Sequence, residues 1–247
     1  MTCIRFALLG SGFIGQVHAA SLARHERTVL AMVADADPER AKALASRYGA
    51  RAVTVAEAIN SDAIDAVLIA SSTPSHAALL EAAARAGKAV YCEKPIDLSL
   101  ARARQVVEKV LPLGVPVTVG FNRRFDASHQ QLRREIEAGA IGQIELVQMV
   151  CRASVMPPLE YLRSSGGQMR DQAIHFFDLL RFLTGDEVTT VAALGVRWRW
   201  RKLPNSTMSI PLLSCCGCAA ARWRSWTTPG APATATMSAL ACLARRG

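Results

Sequence analysis

The first half of the chain alternates short apolar runs with amphipathic segments. The apolar runs cover residues 4–9, 29–34, 64–70, 89–92 and 115–120. Near-continuous apolar runs of this length are typical of parallel strands that are buried on both faces. The segments between them predict helices at 13–24, 38–48, 55–60, 75–86 and 97–110, with a short strand at 52–54. This alternation predicts right-handed crossovers and a doubly wound parallel sheet, which is an α/β fold.

The first apolar run leads directly into three glycines, Gly10, Gly12 and Gly15, in the spacing G-x-G-x-x-G. Gly10 can make the sharp bend, Gly12 lets the backbone approach a pyrophosphate, and Gly15 lets the helix pack closely against the strand. The helix that follows, from Phe13 and Ile14 onward, directs its N–H groups and the positive end of its dipole at the phosphates. The motif predicts the dinucleotide-binding turn of a Rossmann domain. A tight strand-to-helix turn without a ligand is the alternative.

An acidic residue, Asp35, follows the second apolar run, about 20 residues beyond the glycines. A carboxylate at this position bonds the ribose hydroxyls of a dinucleotide and repels a 2′-phosphate, so NAD is favoured over NADP. A simple loop carboxylate is the alternative. Asp37 precedes Pro38 and is predicted to cap the next helix.

Polar residues also follow the third and fourth apolar runs, at the sheet edge where a cofactor would bind. They are Ser71 and Thr73, with Pro74 beside them, after the third run, and Glu93 and Lys94 after the fourth. Beside the expected nicotinamide position, Lys94 can donate hydrogen bonds to a substrate oxygen, and Pro95 fixes the turn that aims it. A solvated surface lysine paired with Glu93 is the alternative.

Residues 168–183 predict a helix that carries Asp171, His175 and Asp178 at i, i+4 and i+7, so that all three share one face. A histidine beside a carboxylate is a proton-transfer pair, because the anion orients the imidazole and stabilises its protonated form. A packed histidine in an apolar helix is the alternative. The histidines are isolated from one another, so no metal site is predicted. The other elements predicted here are a helix at 126–138 and strands at 144–151 and 188–196.

Composition divides the chain into two unequal parts. The net charge of +9 comes from 29 basic and 20 acidic residues, and eight cations but no anion follow Glu187. Subtracting those eight leaves 21 basic and 20 acidic groups in residues 1–187, the near-neutral balance of an ordinary globular domain. All four tryptophans and four of the seven cysteines also follow Glu187. The N-terminal residues do not form a secretory leader and no apolar run is long enough to span a bilayer, so a cytoplasmic protein with reduced thiols is expected.

Together, these motifs resemble the glucose-fructose oxidoreductase, inositol dehydrogenase and rhizopine catabolism (Gfo/Idh/MocA) family, and within it the bacterial inositol 2-dehydrogenases. The resemblance is carried by Gly10, Gly12, Gly15, Asp35, Thr73-Pro74-x-His76, Gly87-Lys88, Glu93-Lys94-Pro95 and Gly120-Phe-Asn-Arg-Arg-Phe125, and it runs from about residue 4 to residue 195. It implies an NAD-binding Rossmann domain over 1–121. It also implies that a second domain begins at 122 and continues to 197. This is an α+β domain for substrate binding and oligomerisation, and its antiparallel sheet is incomplete here.

The resemblance also implies an activity, the NAD-dependent oxidation of a secondary hydroxyl of myo-inositol, or of a related cyclic polyol or sugar, to a ketone. In the implied catalytic group, His175 takes the hydroxyl proton, Asp171 orients it and Lys94 holds the substrate oxygen. Asn122 and Arg123 are implied to lie near the substrate. Cofactor contacts are implied for Gly10, Gly12, Phe13, Ile14, Gly15, Asp35, Ser71, Thr73, Pro74, His76, Glu93 and Lys94. The intact family is implied to form homotetramers, with neither a nucleic acid nor a membrane as partner.

Residues 198–247 are expected to depart from the family. Their Trp-Arg run could bind nucleic acid and their cysteines a metal, but no binding module and no second ligand pair at zinc spacing is recognisable. Read one base out of frame with permitted codons, Trp226 to Ser238 can encode D-N-S-R-R-A-R-Y-G-Y-D-E, which resembles inositol dehydrogenases at this point. We therefore hypothesise a single-base frameshift near residues 196–198 and an early end of the chain.

The frameshift hypothesis predicts that only the first two strands of the second sheet remain, and that the chain assembles poorly with low or no activity. Two further interpretations stay open. One is a catalytically impaired dinucleotide-binding remnant, and the other is a nucleic-acid-binding protein that acts through its basic tail.

Overall fold

The computed structural model describes residues 3–152, 157–199, 207–216 and 236–243. The chain divides into two compact units, Met1–Phe121 and Asn122–Gly247. No helix of the described ranges is long and apolar enough to cross a membrane. The nucleic-acid, metal and frameshift interpretations depend on the tail of the chain. Much of that tail lies outside the described residues, namely 200–206, 217–235 and 244–247.

The first unit confirms the predicted α/β fold. Its strands are β1 (Ile4–Leu9), β2 (Thr28–Ala34), β3 (Arg51–Ala52), β4 (Ala66–Ile69), β5 (Ala89–Cys92) and β6 (Val117–Val119). Its α-helices are α1 (Phe13–Arg24), α2 (Pro38–Tyr48), α3 (Val55–Asn60), α4 (Thr73–Arg85) and α5 (Leu100–Val110). The strands form one sheet in the order β3-β2-β1-β4-β5-β6, with every pairing parallel. The order reverses between β1 and β4, and this switch point is where α/β sheets bind their ligands.

Both faces of the sheet are covered, which explains the continuous apolar runs. On β1, Leu8 belongs to a core cluster with residues of α1 and α2, whereas Ala7 and Leu9 belong to a cluster with residues of α3, α4 and α5. Because consecutive strand residues point to opposite faces, every position of β1 from residue 7 to residue 9 needs an apolar side chain.

Capping residues set the element boundaries in this unit. The predicted cap at Asp37 is confirmed, since its carboxylate accepts the N–H groups of Glu39 and Arg40. The predicted strand at 52–54 ends earlier, at Ala52, because Thr54 forms a capping box with Glu57 at the start of α3. The helix predicted from residue 97 starts only at Leu100 for the same reason, because the Ser99 hydroxyl accepts the Arg102 N–H.

The second unit carries four helices and a second sheet in the described residues. Its helices are α6 (Ala127–Glu137), α7 (Leu159–Ser164), α8 (Gly167–Asp171) and α9 (Ile174–Thr184), and its strands are β7 (Leu146–Arg152), β8 (Ala192–Arg199), β9 (Thr207–Cys216) and β10 (Thr236–Leu243). A 3₁₀ turn at Asn122–Phe125 precedes α6. The strand order is β7-β10-β9-β8, with β10 antiparallel to β7, β8 antiparallel to β9, and β10 parallel to β9.

The prediction that only two strands of this sheet remain is wrong. Residues 207–216 and 236–243 pair between β7 and β8 and occupy the two central positions. Both segments are rich in apolar and small residues without a charge, so they can pair in the middle of a sheet. The sheet is also mixed, because β10 and β9 run parallel where they pair.

The prediction of a single helix over 168–183 is also wrong, because the chain forms two helices, α8 and α9, with a break between them. At the break, the N–H groups of Gln172 and Ala173 both donate to the Gln168 carbonyl oxygen, at 3.0 and 2.9 Å. The second of these bonds closes a turn that is one residue wider than an α-helical turn. Asp171 and His175 therefore lie on separate helices, and the i, i+4 argument for a shared face does not hold for them.

An ion pair between the half-exposed Arg124 and the buried Asp178 fixes α9 to the 3₁₀ turn. Arg124 donates from Nε and Nη2 to the two carboxylate oxygens of Asp178, at 2.8 and 2.6 Å. The guanidinium also lies 5.6 Å from the centre of the Phe182 ring, one turn further along α9. Bonding to Asp178 raises the pKa of Arg124, so the guanidinium is charged at physiological pH.

Candidate functional site

The glycine turn between β1 and α1 is held by two close backbone approaches. Gly10 has φ +105°, and a Cβ built on it would lie 2.6 Å from the backbone of Ala70 and Ser71 at the end of β4. A Cβ on Gly15 would lie 2.0 Å from the Gly10 carbonyl oxygen. Only glycine fits at these two positions, so the turn has the compact shape that the motif predicts.

Gly12 differs from the other two glycines, because a Cβ on it would meet no atom within 4 Å. It is the N-cap residue of α1, and no side chain of the described residues caps this helix. The N–H groups of the first turn, which include those of Phe13 and Ile14, therefore open onto space next to a residue without a side chain. A diphosphate fits this position, because it can approach the backbone and accept these hydrogen bonds.

The Asp35 carboxylate is fixed at the end of β2 by two backbone donors. Its Oδ2 accepts the Ser11 N–H at 2.6 Å and its Oδ1 accepts the Asp37 N–H at 2.9 Å. A carboxylate has about four acceptor positions, so it can still bind a pair of ribose hydroxyls. Asp35 thus joins the glycine turn to the segment that starts α2.

A cleft of about 310 Å³ lies beside the turn, between α1 and α2. It is lined by Ser11, Gly12, Phe13, Gln16, Arg40, Ala43, Leu44 and Arg47. The Phe13 side chain is 86% exposed, which is unusual for an aromatic residue that starts a helix. The surroundings of the glycine turn therefore combine an open backbone, an exposed aromatic ring and two arginines.

The residues that follow β4 occupy two different environments. Ser71 is half-buried and its hydroxyl lies 2.7 Å from that of Ser75, and Thr73 and Pro74 form the first turn of α4. His76, by contrast, is only 2% exposed, and both of its ring nitrogens contact backbone carbonyl oxygens. Its imidazole is therefore enclosed within the first unit rather than presented to solvent.

Glu93 and Lys94 follow β5, where the Lys94-Pro95 peptide bond is cis. The Glu93 carboxylate accepts a hydrogen bond from His18 Nε2 on α1 at 2.8 Å, and its other oxygen accepts the Lys94 N–H at 3.3 Å. The edge of the His18 ring packs against Tyr91, with 5.3 Å between ring centres. Gly120 makes room for this cluster, because a Cβ there would lie about 3 Å from Tyr91 and Glu93.

Burial perturbs two further groups of β5. It raises the pKa of Tyr91 to about 12, and the nearby Glu93 charge adds to the effect. Burial likewise raises the pKa of the Cys92 thiol to about 12, and its Sγ donates to the Glu93 carbonyl oxygen at 3.3 Å. Both groups are neutral at physiological pH and neither can act as a base there.

The second unit holds Asp171 at the end of α8 and His175 in the first turn of α9, and both side chains are half-buried. The Tyr161 hydroxyl on α7 hydrogen-bonds the Asp171 carboxylate, and burial followed by this bond raises the pKa of Tyr161 to about 12. Asn122 and Arg123 lie in the 3₁₀ turn with exposed side chains. No cluster of three or more potential metal ligands occurs among the described residues.

Sequence reasoning missed three contributors to these arrangements. His18 is the partner of Glu93, Tyr161 is a partner of Asp171, and Arg124 pairs with Asp178. No spacing pattern connects His18 with Glu93, and His18 does not stand out on α1, because this helix also carries Gln16, Ser21 and Arg24. Tyr161 lies on the short helix α7, and no spacing pattern in the sequence connects it with Asp171.

Two family models match the chain. The model of the Gfo/Idh/MocA oxidoreductase family, NAD-binding Rossmann fold, matches residues 4–121, and the model of the Gfo/Idh/MocA C-terminal domain matches residues 129–237. The second match extends beyond residue 198, where the resemblance was expected to end.

Similar proteins of known name include inositol dehydrogenases. The inositol 2-dehydrogenase of Rhizobium meliloti (strain 1021) is 46% identical over 191 residues, which are 77% of this chain and 58% of that protein. The crystal structure of a myo-inositol dehydrogenase from Corynebacterium glutamicum ATCC 13032 is similar with a TM-score of 0.75 and 37% identity, over 81% of this chain and 60% of that one. A scyllo-inositol dehydrogenase from Lactobacillus casei, solved with bound NAD(H) and scyllo-inositol, gives a TM-score of 0.69 and 26% identity over 80% and 61%.

The chain thus spans just under 60% of the length of the curated relative. The matched residues of this chain include the glycine turn, Asp35 and the Glu93-Lys94-Pro95 turn. This chain belongs to the Gfo/Idh/MocA family of NAD-binding oxidoreductases.

Proposed function

We propose that the chain is an NAD-dependent oxidoreductase of the inositol 2-dehydrogenase type, which oxidises a secondary hydroxyl of myo-inositol, or of a related cyclic polyol or sugar, to a ketone. The observation that carries this proposal is the glycine turn with open space at Gly12 and the Asp35 carboxylate bonded to the Ser11 N–H. The names of the relatives support the substrate class.

In the proposed reaction, the substrate carbon loses a hydride and its hydroxyl loses a proton, and the O–H electron pair forms the carbonyl. When bound, NAD supplies the nicotinamide carbon that accepts the hydride. The His175 imidazole accepts the proton, and Asp171, which is itself bonded by Tyr161, orients that imidazole. The Lys94 ammonium donates to the substrate oxygen and stabilises the negative charge that develops there.

Substitution at the proposed catalytic positions tests the reaction. We expect Lys94→Met and His175→Asn to reduce the rate of myo-inositol oxidation at saturating NAD by about 10²- to 10⁴-fold. His175→Asn should also retain NADH binding, measured by the increase in nicotinamide fluorescence. Matched controls are Lys42→Met and His25→Asn, which change exposed residues of α2 and of the end of α1. A control that loses as much activity as its partner variant would contradict the assignment.

Asp35 should decide the choice between the two nicotinamide dinucleotides. Because its carboxylate is fixed and negatively charged, we expect the chain to bind NADH at least about tenfold more tightly than NADPH. Asp35→Asn keeps one acceptor but removes the charge, and should reduce this preference several-fold in a fluorescence titration. Asp37→Asn, whose side chain caps α2, serves as the control and should leave the preference unchanged. A preference of the unchanged chain for NADPH would disprove the role of Asp35.

The proposed alternative is a dinucleotide-binding remnant without turnover. It predicts that NADH binds, whereas a panel of myo-inositol, other cyclic polyols and aldoses gives no reduction of NAD. Velocity sedimentation of the same sample shows whether the chain forms the tetramer implied for the intact family.

We retain the single-base frameshift near residues 196–198 as a separate proposal about the gene. Its support is the charge contrast after Glu187 and the alternative reading of residues 226–238. The match of the C-terminal family model through residue 237 counts against it. The coding DNA decides the matter, because a shifted frame without similarity to inositol dehydrogenases would exclude a frameshift.

A further inference from the structure

A small cluster of side chains connects helix α1 with the turn that carries Lys94. His18 Nε2 on α1 lies 2.8 Å from Oε1 of Glu93, the residue directly before Lys94. The other oxygen of the same carboxylate, Oε2, accepts the Lys94 backbone N–H at 3.3 Å. The side chains of His18 and Glu93 are only 18% and 13% exposed, so little water competes with their contact. Glu93 therefore links α1 to the backbone of the lysine turn.

Packing leaves the Glu93 carboxyl group little room to take another position. The His18 ring meets the Tyr91 ring edge-on, with 5.3 Å between the ring centres. A Cβ on Gly120 would lie 3.0 Å from the Tyr91 hydroxyl and 3.1 Å from the Glu93 carboxyl group, so a larger residue there would press on both. Because its surroundings are filled in this way, the place of the carboxyl group depends on its contact with His18.

The contact does not require one particular charge state of the imidazole. A carboxylate oxygen can accept a hydrogen bond from an imidazolium, and also from a neutral ring that carries its proton on Nε2. The reach of the side chain from α1 to the carboxyl group is therefore the property to test.

The cluster spans the switch point of the sheet. α1 starts at the glycine turn after β1, and Glu93 follows β5. β4 lies between β1 and β5, and the strand order reverses between β1 and β4. A dinucleotide whose diphosphate binds at the start of α1 lies across this point. One helix therefore contacts both the proposed diphosphate site and the turn at the proposed nicotinamide end.

We propose that His18 is a positioning residue, which holds the Glu93 carboxyl group where that group fixes the Lys94 backbone for the nicotinamide half of the cofactor. This role rests on the proposed function, because it takes the Lys94 turn as the nicotinamide end of the site. His18 acts on the cofactor through Glu93 and the lysine turn.

Two substitutions of His18 separate its reach from its polarity. The amide nitrogen of glutamine extends about as far from the backbone as Nε2 of histidine, whereas that of asparagine extends only as far as Nδ1. His18→Gln can therefore keep the contact with Glu93, and His18→Asn loses it while the residue remains polar.

NADH and ADP are the two probes, because ADP lacks the nicotinamide riboside half. We expect His18→Asn to weaken NADH binding by about tenfold and ADP binding by less than about twofold, measured by titration calorimetry. His18→Gln should bind both ligands within about twofold of the unchanged chain. His25→Asn, which changes an exposed histidine at the end of α1, should also bind both normally.

A double variant tests whether His18 acts through Glu93. Glu93→Ala should weaken NADH binding at least as much as His18→Asn does. Adding His18→Asn to Glu93→Ala should then change NADH binding by less than about twofold, because the contact is already gone. A second full loss in the double variant would show that His18 acts by another route, and would overturn the positioning role.

The position of the lysine turn can also be measured without a ligand. In NMR spectra of the ligand-free chain, the Lys94 amide should exchange with deuterated solvent about tenfold faster in His18→Asn than in the unchanged chain. His18→Gln and His25→Asn should leave this rate unchanged, and the paired amides of β4 and β5 should keep their rates in all three variants. An unchanged Lys94 rate in His18→Asn would overturn the positioning role.

The remaining outcomes separate this role from the proposed function. Equal weakening of NADH and ADP by His18→Asn would show a merely structural role, as would a loss in His18→Gln as large as that in His18→Asn. If the unchanged chain binds ADP but not NADH, the proposed function fails, while the Lys94 exchange rates still decide whether His18 positions the turn. If neither His18→Asn nor Glu93→Ala folds, the positioning role is overturned in favour of a role in folding.

Discussion

Gly15→Ala should abolish NADH binding and destabilise the first unit. The added Cβ would lie 2.0 Å from the Gly10 carbonyl oxygen and 2.9 Å from its carbon, and both atoms are backbone, so no side chain can move aside. Replacing a helical glycine by alanine normally gains up to about 1 kcal/mol. Overpacking costs about 1–3 kcal/mol and occasionally more, and a contact of 2.0 Å with fixed backbone lies at the upper end, so the clash outweighs the gain. Urea unfolding, followed by circular dichroism, measures the net loss.

Gly12→Ala is the matched control, because it separates the fold from the binding site. A Cβ at Gly12 meets no atom within 4 Å and φ is −68°, so the change should leave the unfolding midpoint unchanged or slightly raised. The new methyl group would occupy the space over the first turn of α1, and we expect at least about tenfold weaker NADH binding. Unchanged NADH affinity in this variant would mean that the diphosphate does not approach Gly12.

Arg124→Ala should clearly destabilise the second unit. It removes both hydrogen bonds to Asp178, which is 6% exposed, and leaves that carboxylate buried without its cation. Breaking a buried pair costs about 3–5 kcal/mol. Because the Arg124 side chain itself remains 40% exposed, water partly screens the remaining charge, and we expect about 2–3 kcal/mol. The shift in the urea midpoint of the second unit measures it.

The neighbouring Arg123→Ala provides the control, since its side chain is exposed and adjacent in sequence. It should change the midpoint by less than about 0.5 kcal/mol. The double variant Arg124→Ala, Asp178→Asn should recover part of the lost stability, because the buried charge is gone. If the two substitutions lower the free energy of unfolding additively, so that the double variant loses the sum of the two single losses, the two residues do not form the pair described here.

Local features of the sequence predicted much of the first unit. The bounds of α1, α2, α3 and β5 coincide with those expected from apolar runs, proline, and glycine at helix ends. These signals act within a few residues, and the buried parallel sheet adds a second constraint because each strand must be apolar on both faces. Errors arose where a side chain caps a helix, because Thr54 ends the preceding strand early and Ser99 moves the start of α5 to Leu100.

Long-range side-chain pairs could not be predicted from the sequence. His18 and Glu93 are 75 residues apart, and Arg124 and Asp178 are 54 residues apart, so no local period connects them. The wide turn at Ala173 is a second kind of failure. Residues 168–183 have helical apolar spacing throughout, and nothing in that spacing shows that one hydrogen bond spans an extra residue.

The proposed cofactor site was predictable where backbone conformation selects the residue. The strained φ of Gly10 and the close packing at Gly15 leave glycine as the only choice, so the motif itself carries the information. The burial of His76 could not be predicted in this way, because the residue type does not show whether a histidine contacts a ligand or packs inside the protein. Its environment depends on the carbonyl groups that the fold brings to its two ring nitrogens.

The Cys92 thiol lies directly before the Glu93-Lys94 turn, and its pKa of about 12 has a consequence for oxidative damage. At neutral pH the thiol is therefore protonated, whereas the thiolate is the form that peroxides and alkylating reagents attack. The strand that supports the lysine turn is therefore chemically inert while the protein is folded. Loss of NADH binding under peroxide would have to originate elsewhere in the chain, for example at the exposed Cys3.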